Sequence, residues 1–439
     1  MSEPRDHPVP RTDPNDVQES RLALASGTAW MTLAFGASIV FQTGYFILIA
    51  RALGVSDFGA LAAALALVSL FAPFATWGSG NVLVMDVARE PRSFPVAFGN
   101  ALITLMVSGT ALLVIVLAVG AVLLPRVPLA AILLLGIADL GFARVVDVAG
   151  QCFQAFDRIV TVALISVLVP ALRCAVAVAF VAVSPSSSLV AWTALYLCAT
   201  VIAAAITLWS VSRRLGRPTP VRALLSRRFR LGGYFAVSAS ATTIHSDIDK
   251  VLLARLSTLD ATGIYAAAYR AAGMAYMPIM ALLTVTYPSF FRAGKEGIGG
   301  STAYARRLLP PAVAYGAFAG LAILVLAPLA PVVLGDEYGD SVEALRWLAP
   351  LPLLAALTYL PADALTGADA QGLRTRLQLG AAALNLALSA VLIPAYSWRG
   401  AAWATLATLS LLALALWLAV ALLKRGPQGA RTPPLGETG

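Results

Sequence analysis

The sequence predicts an all-α polytopic membrane protein of about twelve transmembrane helices in two six-helix lobes, with both termini cytoplasmic. Three observations predict it. The first is composition: of 439 residues, 59% are hydrophobic and 12% charged, with a mean hydropathy of +0.82. A soluble domain carries about 25% charged residues, so this chain cannot cover a soluble surface of its size. The second is a series of twelve apolar stretches, each near or above the roughly 20 residues that cross a hydrocarbon core about 30 Å thick. The third is the uneven distribution of Lys and Arg between alternate connections. Disorder and collagen are excluded by the same composition, and 3 Cys in 439 residues cannot form a disulfide scaffold.

The elements follow in order. Residues 1–21 are polar and rich in Pro and Asp, without the apolar core and small-residue cleavage site of a signal peptide, and are expected to be a disordered cytoplasmic tail. The first lobe, 22–211, holds spans at Leu22–Ala50, Phe58–Met85, Phe94–Leu124, Leu129–Gly150, Ile159–Val183 and Leu189–Val211. A basic cytoplasmic linker occupies 212–230. The second lobe, 231–424, holds Leu231–Ala254, Gly263–Phe290, Leu308–Leu334, Val342–Thr366, Thr375–Ile393 and Gly400–Leu423, and 425–439 is a second tail. Runs this long are not the alternating strands of a barrel, and backbone satisfaction in lipid then requires helices. Pro73, Pro170, Pro278, Pro288, Pro328 and Pro352 predict kinks. Trp77, Trp192, Trp347 and Trp398 fall near span ends, where interfacial belts form.

Charge sets the expected orientation. With the N-terminus inside, about 22 Lys and Arg fall on inner segments, including Arg213, Arg214, Arg217, Arg222, Arg227, Arg228 and Arg230. Only Arg51, Arg126, Arg255 and Arg399 fall outside. The net charge of +9 is therefore mostly a topology signal, and the 213–230 run is expected to lie against anionic lipid. Nucleic-acid binding needs a basic face on a soluble domain, and the chain has none.

The halves repeat. FQTGYFILIARALGVSDFGALAAA (41–64) parallels HSDIDKVLLARLSTLDATGIYAAA (245–268), placing Ala50-Arg51 on Ala254-Arg255 and Gly59 on Gly263. A slightly larger offset puts Asp147 on Asp363 and Arg158 on Arg374. Each half has an even number of spans, so the repeats share one topology about an axis along the membrane normal.

The helix ending ARALGVSDFG, Trp30 early in it, and WGSGNVLVMDVAR closing the next helix resemble the polysaccharide-biosynthesis (Wzx-type) flippases of the multidrug/oligosaccharidyl-lipid/polysaccharide exporter superfamily. The resemblance runs between the two tails and implies a transporter rather than an enzyme, built as the two-lobed exporters are. GIYAAAYRAAGMAYMPIMALLTVTYPSF (263–290) also resembles the corresponding helix of the lipid II flippases. That likeness implies that Arg270 is a cavity arginine handling a lipid-linked pyrophosphate. The first helix lacks the arginine-rich start of the lipid II branch, and that branch's two extra C-terminal helices are missing, so the likeness does not extend to lipid II itself.

The embedded charges give the candidate site independently. A charge within a span costs about 2.5–3.5 kcal/mol on insertion scales and needs a reason. The basic ones are Arg144, Arg173, Lys250 and Arg270; the acids are Asp139, Asp147, Asp247, Asp249 and Asp363, with His245 nearby. Arg144 and Asp147, three apart, are expected to pair structurally, and Asp363 to sit at the inner interface. Guanidinium binds phosphate through a planar fork that stays charged, which makes Arg270 and Arg173 the leading substrate-binding candidates. Arg51, Arg255 and Lys250 are the further candidates, though Arg51 and Arg255 also read as headgroup anchors and Lys250 with Asp249 as facing outside water. Asp139, Asp247 and Asp249 are expected to balance the empty site or to carry a coupling proton or sodium ion.

No nucleotide, nucleophile-elbow or zinc motif occurs, so no catalytic residue, resident metal or cofactor is expected. Cys152, Cys174 and Cys198 lack redox spacing. The acidic outer group Asp336, Glu337, Asp340 and Glu343 reads as a solvated loop. The expected function is flipping of a prenyl-pyrophosphate oligosaccharide across the cytoplasmic (inner) cell membrane by alternating access, for export of a surface polysaccharide. Its partners would be that lipid, the surrounding membrane lipids, and other polysaccharide export or polymerisation proteins. The alternatives are an ion-coupled multidrug exporter of the same superfamily and a membrane glycosyltransferase or polymerase; the short outer loops argue against the enzyme.

Overall fold

The computed structural model describes residues 14–183, 188–219, 221 and 247–425, and these are helical almost throughout. Helix α1 (Pro14–Ala75) begins inside the stretch expected to be a tail and runs for 62 residues. A straight helix of that length would reach about 93 Å, three times the hydrocarbon core. It breaks at Gly54, whose φ of 72° and ψ of 174° are open to glycine and costly for any residue with a Cβ. After a turn with positive φ at Trp77 and Gly78, α2 (Ser79–Arg89) completes the second pass.

Helix α3 (Phe94–Leu123) follows. The fourth expected span is composite: α4 (Leu129–Gly136), a π-helical segment (Ile137–Phe142) and α5 (Ala143–Gln154). The lobe ends with α6 (Ile159–Val183) and α7 (Leu189–Arg214). Of the seventh expected span only α8 (247–256) is described; its earlier part, His245 and Arg222 to Arg230 of the linker lie outside the described residues. Helices α9 (Leu259–Ala275) and α10 (Met277–Gly294) form one span bent by 47°, with Pro278 in the first turn after the bend. Then come α11 (Ile298–Leu326), α12 (Ala330–Leu334), α13 (Ser341–Leu348), α14 (Leu351–Gly367) and α15 (Gln371–Arg425). Helix α15 breaks at Ser397 (φ 55°, ψ −135°), shortly after Pro394.

Among the described residues, eight helices are long and apolar enough to cross a membrane, or nine with the bent α9–α10 pair. Two of the eight, 33–89 and 371–424, contain the breaks at Gly54 and Ser397. The chain is thus a multi-pass, all-α membrane protein. Lipid-facing positions fit this: Met106, Val332 and Val391 are 72%, 70% and 72% exposed. Of the expected interfacial tryptophans, Trp192 and Trp398 are buried within their lobes and do not face lipid, while Trp347 is exposed.

Successive helices run antiparallel. Bonds between Arg126 and Ser257, Ser257 and Ser397, and Glu337 or Tyr338 and residues 54–55 gather the connections near 54, 124–128, 257–258, 335–340 and 397 on one face, the distal face. The alternation of the helices puts both described chain ends on the opposite, termini face. The lobes meet through α1 and α9. A Cβ on Gly59 would stand 1.9 Å from the Leu259 carbonyl oxygen, and one on Gly263 2.0 Å from that of Val55. Since Gly59 matches Gly263 in the repeat, and Val55 matches Leu259, the contact is two-fold: each repeat's glycine seats on the other's backbone. Such close approach needs small residues.

Further bonds seal the distal face. The Tyr338 hydroxyl donates to the Ala50 and Gly54 carbonyls at 3.0 and 3.3 Å, the Val55 N–H donates to Glu337 at 3.1 Å, and Arg126 donates to the Ser257 carbonyl. Phe58 packs between Phe46 (5.6 Å between ring centres) and Tyr338 (6.3 Å).

Candidate functional site

Beneath that seal a cavity of about 470 Å³ opens between the lobes. Helix α1 lines it on both sides of its break, with Gln42, Tyr45, Phe46 and Ile49 before Gly54 and Phe58 to Ser69 after it. The rest of the first-lobe wall is Asp139, Arg173 and Tyr196; the second-lobe wall is Asp247, Lys250, Tyr269, Arg270 and Tyr276. Six of the eight candidate residues from the sequence are therefore drawn to one place, five as lining and Asp249 directly behind Lys250.

The first wall is a closed cluster. Arg173 donates to Asp139 at 2.9 Å and to the Thr200 hydroxyl at 3.3 Å, and its guanidinium lies 3.8 Å over the Tyr196 ring. The Tyr196 hydroxyl reaches both Asp139 oxygens, at 3.1 and 2.9 Å. Asp139 sits on the π-helical segment, where the extra residue re-aims side chains, a feature often found at functional positions.

The second wall is built from the same parts in another ratio. Lys250 pairs with Asp247 at 2.9 Å and stands 3.7 Å from Asp249, with its ammonium 4.4 Å over the Tyr269 ring. Asp249 accepts from Tyr265 at 2.5 Å. The expectation that Asp249 and Lys250 face outside water is corrected: they are 1% and 8% exposed. The phase of α8 turns them into the lobe, where the carboxylate is satisfied by Tyr265 and by the Lys250 backbone N–H (2.8 Å). Asp247 faces the cavity and accepts from Ser69 of the opposite lobe at 2.7 Å.

Arg270 stands apart. It donates to the Tyr45 hydroxyl across the lobes at 2.9 Å and packs 5.4 and 5.5 Å from the Tyr45 and Phe46 rings. No ion pair to a carboxylate is formed by Arg270 among the described residues, and its Nε, like that of Arg173, is buried without a partner. Asp247 and Asp249 therefore balance Lys250 and not Arg270.

The other expectations divide. Arg144 pairs with Asp147 at 2.8 Å as expected. Asp363 is buried and bound to Arg374 at 3.2 Å near the termini face. Arg51 and Arg255 do not reach the cavity: Arg51 touches the Val333 carbonyl at 3.5 Å on the distal face, and Arg255 is exposed at the end of α8. The acidic loop is exposed at Asp336, Glu337 and Asp340, with Glu337 accepting from the Val55 N–H and Glu343 from the Arg399 guanidinium at 2.8 and 2.5 Å. Among the described residues no cluster could hold a metal through His, Cys, Asp or Glu. The three cysteines are free.

Sequence reasoning missed Tyr45, Ser69, Tyr196, Tyr265 and Tyr269. The one available signal was helical spacing: Tyr265 and Tyr269 are four apart, as are Tyr196 and Thr200, so each couple shares a helix face. It also missed a set of buried polar atoms in the second-lobe core. Among the described residues, both side-chain polar atoms of Asn385 and the hydroxyls of Thr358, Ser389 and Thr408 have no partner, and the Thr405 hydroxyl reaches Asp249 at 3.4 Å.

A second recess adjoins the cavity. It is a groove of about 390 Å³ among α1, α9, α11 and α12, lined by Thr43, Ile47, Ala267, Ala271, Phe318, Ile323 and Val333 among others. It shares Phe46 and Met274 with the charged cavity.

The fold is shared with known transporters. It matches an inward-facing multidrug-resistance MATE transporter of the MOP superfamily with a TM-score of 0.74, at 14% identity over 88% of this chain and 96% of the other. The outward-facing conformation of such a transporter matches with a TM-score of 0.59, at 15% identity over 91% and 97%. The lipid II flippase MurJ in an inward closed conformation matches with a TM-score of 0.73, at 11% identity over 89% and 87%. No curated protein matches by sequence. The family model described as "Polysaccharide biosynthesis protein" matches residues 24–293. This chain, a multi-pass membrane protein, belongs to the polysaccharide biosynthesis protein family.

Proposed function

We propose that the protein flips a lipid-linked oligosaccharide across the cytoplasmic membrane, holding it by a pyrophosphate, for export of a surface polysaccharide. The observation that carries this reading is Arg270, a guanidinium with no carboxylate partner among the described residues, in a cavity that adjoins an apolar groove. A cation in low dielectric without an acid is suited to an anionic guest, and its fork to phosphate. A groove that shares Phe46 and Met274 with the cavity suits the lipid part of the same molecule. Twelve spans in two six-helix lobes, 22–211 and 231–424, and cytoplasmic termini complete the reading. The distal face then looks outward, and the cavity, sealed distally, takes its guest from the cytoplasmic side. Rocking of the lobes exposes it to the other side.

Coupling falls to the second lobe. The buried carboxylate of Asp249, with the Thr405 hydroxyl 3.4 Å away, is the group suited to carry a coupling proton or sodium ion. A cationic-drug exporter is the weaker reading, because three cations line the cavity against two carboxylates. The test is transport of a fluorescent prenyl-pyrophosphate glycan in vesicles, against a cationic dye. Dye export without glycan flipping would reverse the assignment.

A further inference from the structure

The hydrogen bond between Tyr45 and Arg270 joins the two lobes, and it involves the residue that the function just proposed requires to be free for phosphate. We infer that Tyr45 is a positioning residue: it holds Arg270 and ties α1 to α9 while the cavity is empty, and the ligand's phosphate displaces it, loosening the lobes as it binds. The inference rests on the phosphate reading of Arg270 and adds to it a route from binding to opening.

Four observations carry it. The ties that cross the cavity are few and specific: Tyr45 with Arg270 at 2.9 Å, Ser69 with Asp247 at 2.7 Å, and Thr43 with the Met274 sulfur at 3.4 Å. Two of these three lie on one stretch of α1 and one stretch of α9, Thr43–Tyr45 facing Arg270–Met274. Those same helices form the glycine contact nearer the distal face, so any distal opening must break the Tyr45 bond. A neutral phenol is the weaker partner for a guanidinium, since it accepts a single hydrogen bond and carries no charge, whereas phosphate carries the opposite charge and accepts two bonds in parallel. Finally, the Nε of Arg270 is buried and unused, so phosphate can bind two nitrogens where Tyr45 binds one. Asp247 keeps its Lys250 partner when Ser69 is lost, so only the Arg270 tie exchanges a lobe contact for a ligand contact.

The experiment uses the full chain in lipid nanodiscs, with Cys152, Cys174 and Cys198 replaced and spin labels at Leu129→Cys and Leu256→Cys, which lie on the distal ends of different lobes. Pulsed electron–electron measurements read their separation, and calorimetry reads binding of inorganic pyrophosphate. In the parent protein pyrophosphate should lengthen the distance. Tyr45→Phe should lengthen it with no ligand present and bind pyrophosphate about five- to tenfold more tightly, because the competitor is gone. Arg270→Gln should also lengthen it but lose binding, so the two variants move distance alike and affinity oppositely. A general loss of packing cannot produce that pattern. Unchanged distance and affinity in Tyr45→Phe overturns the tie. If pyrophosphate binds none of the proteins while both variants still lengthen the distance, the tie stands and the phosphate reading falls.

Discussion

The two walls of the cavity use the same three parts, a carboxylate, a tyrosine that donates to it and a cation stacked on a ring, with different arithmetic. On the first-lobe wall one Arg173 meets one Asp139. On the second-lobe wall one Lys250 meets both Asp247 and Asp249, and a further positive charge stands apart on Arg270. The first wall's charges are paired one to one before any ligand arrives; the second holds its charge separated. A closed pair rigidifies a lobe, whereas a separated one leaves a cation for a guest and a carboxylate for an ion. The same chemistry therefore serves structure on one side and, on the reading proposed here, transport on the other.

The largest expected effect tests that contrast at Arg270. Arg270→Ala should leave abundance near normal, because removing a charge from a span lowers its insertion cost, yet cripple flipping. Loss of hydrogen bonds to a charged group, at about 1.5–3 kcal/mol each, predicts about ten- to hundredfold weaker phosphate binding. Arg270→Lys should fall between, keeping the charge without the fork. Vesicle flipping at equal protein level decides it: a wild-type rate for the alanine variant makes Arg270 structural and removes the difference between the walls.

On the first wall the same substitution should act oppositely. Arg173→Ala leaves Asp139 without its cation in a site where the pair is only 15% and 20% exposed. Breaking a buried pair from one side costs about 3–5 kcal/mol, so thermal stability and abundance should drop, while flipping per surviving molecule stays closer to wild type. Asp139→Asn sharpens the comparison further, since it frees Arg173 and makes the first wall resemble the second: less stable, and tighter for pyrophosphate. Stability melts alongside calorimetry separate these outcomes, and an Arg173→Ala protein that is stable but inactive would merge the two walls into one binding site.

Asp249 comes next. Asn keeps an oxygen for Tyr265 and removes the charge, while Lys250 retains Asp247. Asp249→Asn should accumulate, and flipping should lose its response to imposed sodium or proton gradients. An intact response to both gradients would place coupling elsewhere.

How much of this was legible follows from what each feature depends on. A charge within a span is visible in sequence because its cost is local, so Arg270, Arg173, Asp139 and Lys250 stood out. Their partners were not visible. Asp139 and Arg173 are brought together by the packing of α6 on α1, α5 and α7, and nothing in IADLGF announces a π turn. The inward rotation of Asp249 depends on the phase of α8, which a run of apolar neighbours does not fix. The repeat was legible as matched glycines, and its meaning, that each glycine seats on the other copy, needed coordinates. The Gly54 break follows from glycine's freedom at positive φ; the Ser397 break has no such residue to mark it.

The smallest effects are expected where sequence and structure part most clearly. Arg51 and Arg255 close matching helices and carry the same charge as Arg270, so composition alone ranks them as equals. Their position removes them from the cavity: Arg255 is exposed at the distal end of α8, and Arg51 makes one long contact of 3.5 Å to a carbonyl. A solvated guanidinium on a face is held by water and salt more than by the protein, and exposed charges contribute little. Arg255→Gln should therefore flip glycan at the wild-type rate, and Arg51→Gln within about twofold of it, the difference reflecting the Val333 contact beside the Gly54 break. These rates should be measured at low and physiological ionic strength, because a steering role for a surface cation fades with salt. A loss comparable to that of Arg270→Ala, persisting at high salt, would mean that the distal arginines hold the ligand in the outward-open state, and the functional contrast would then lie between faces of the molecule instead of between its walls.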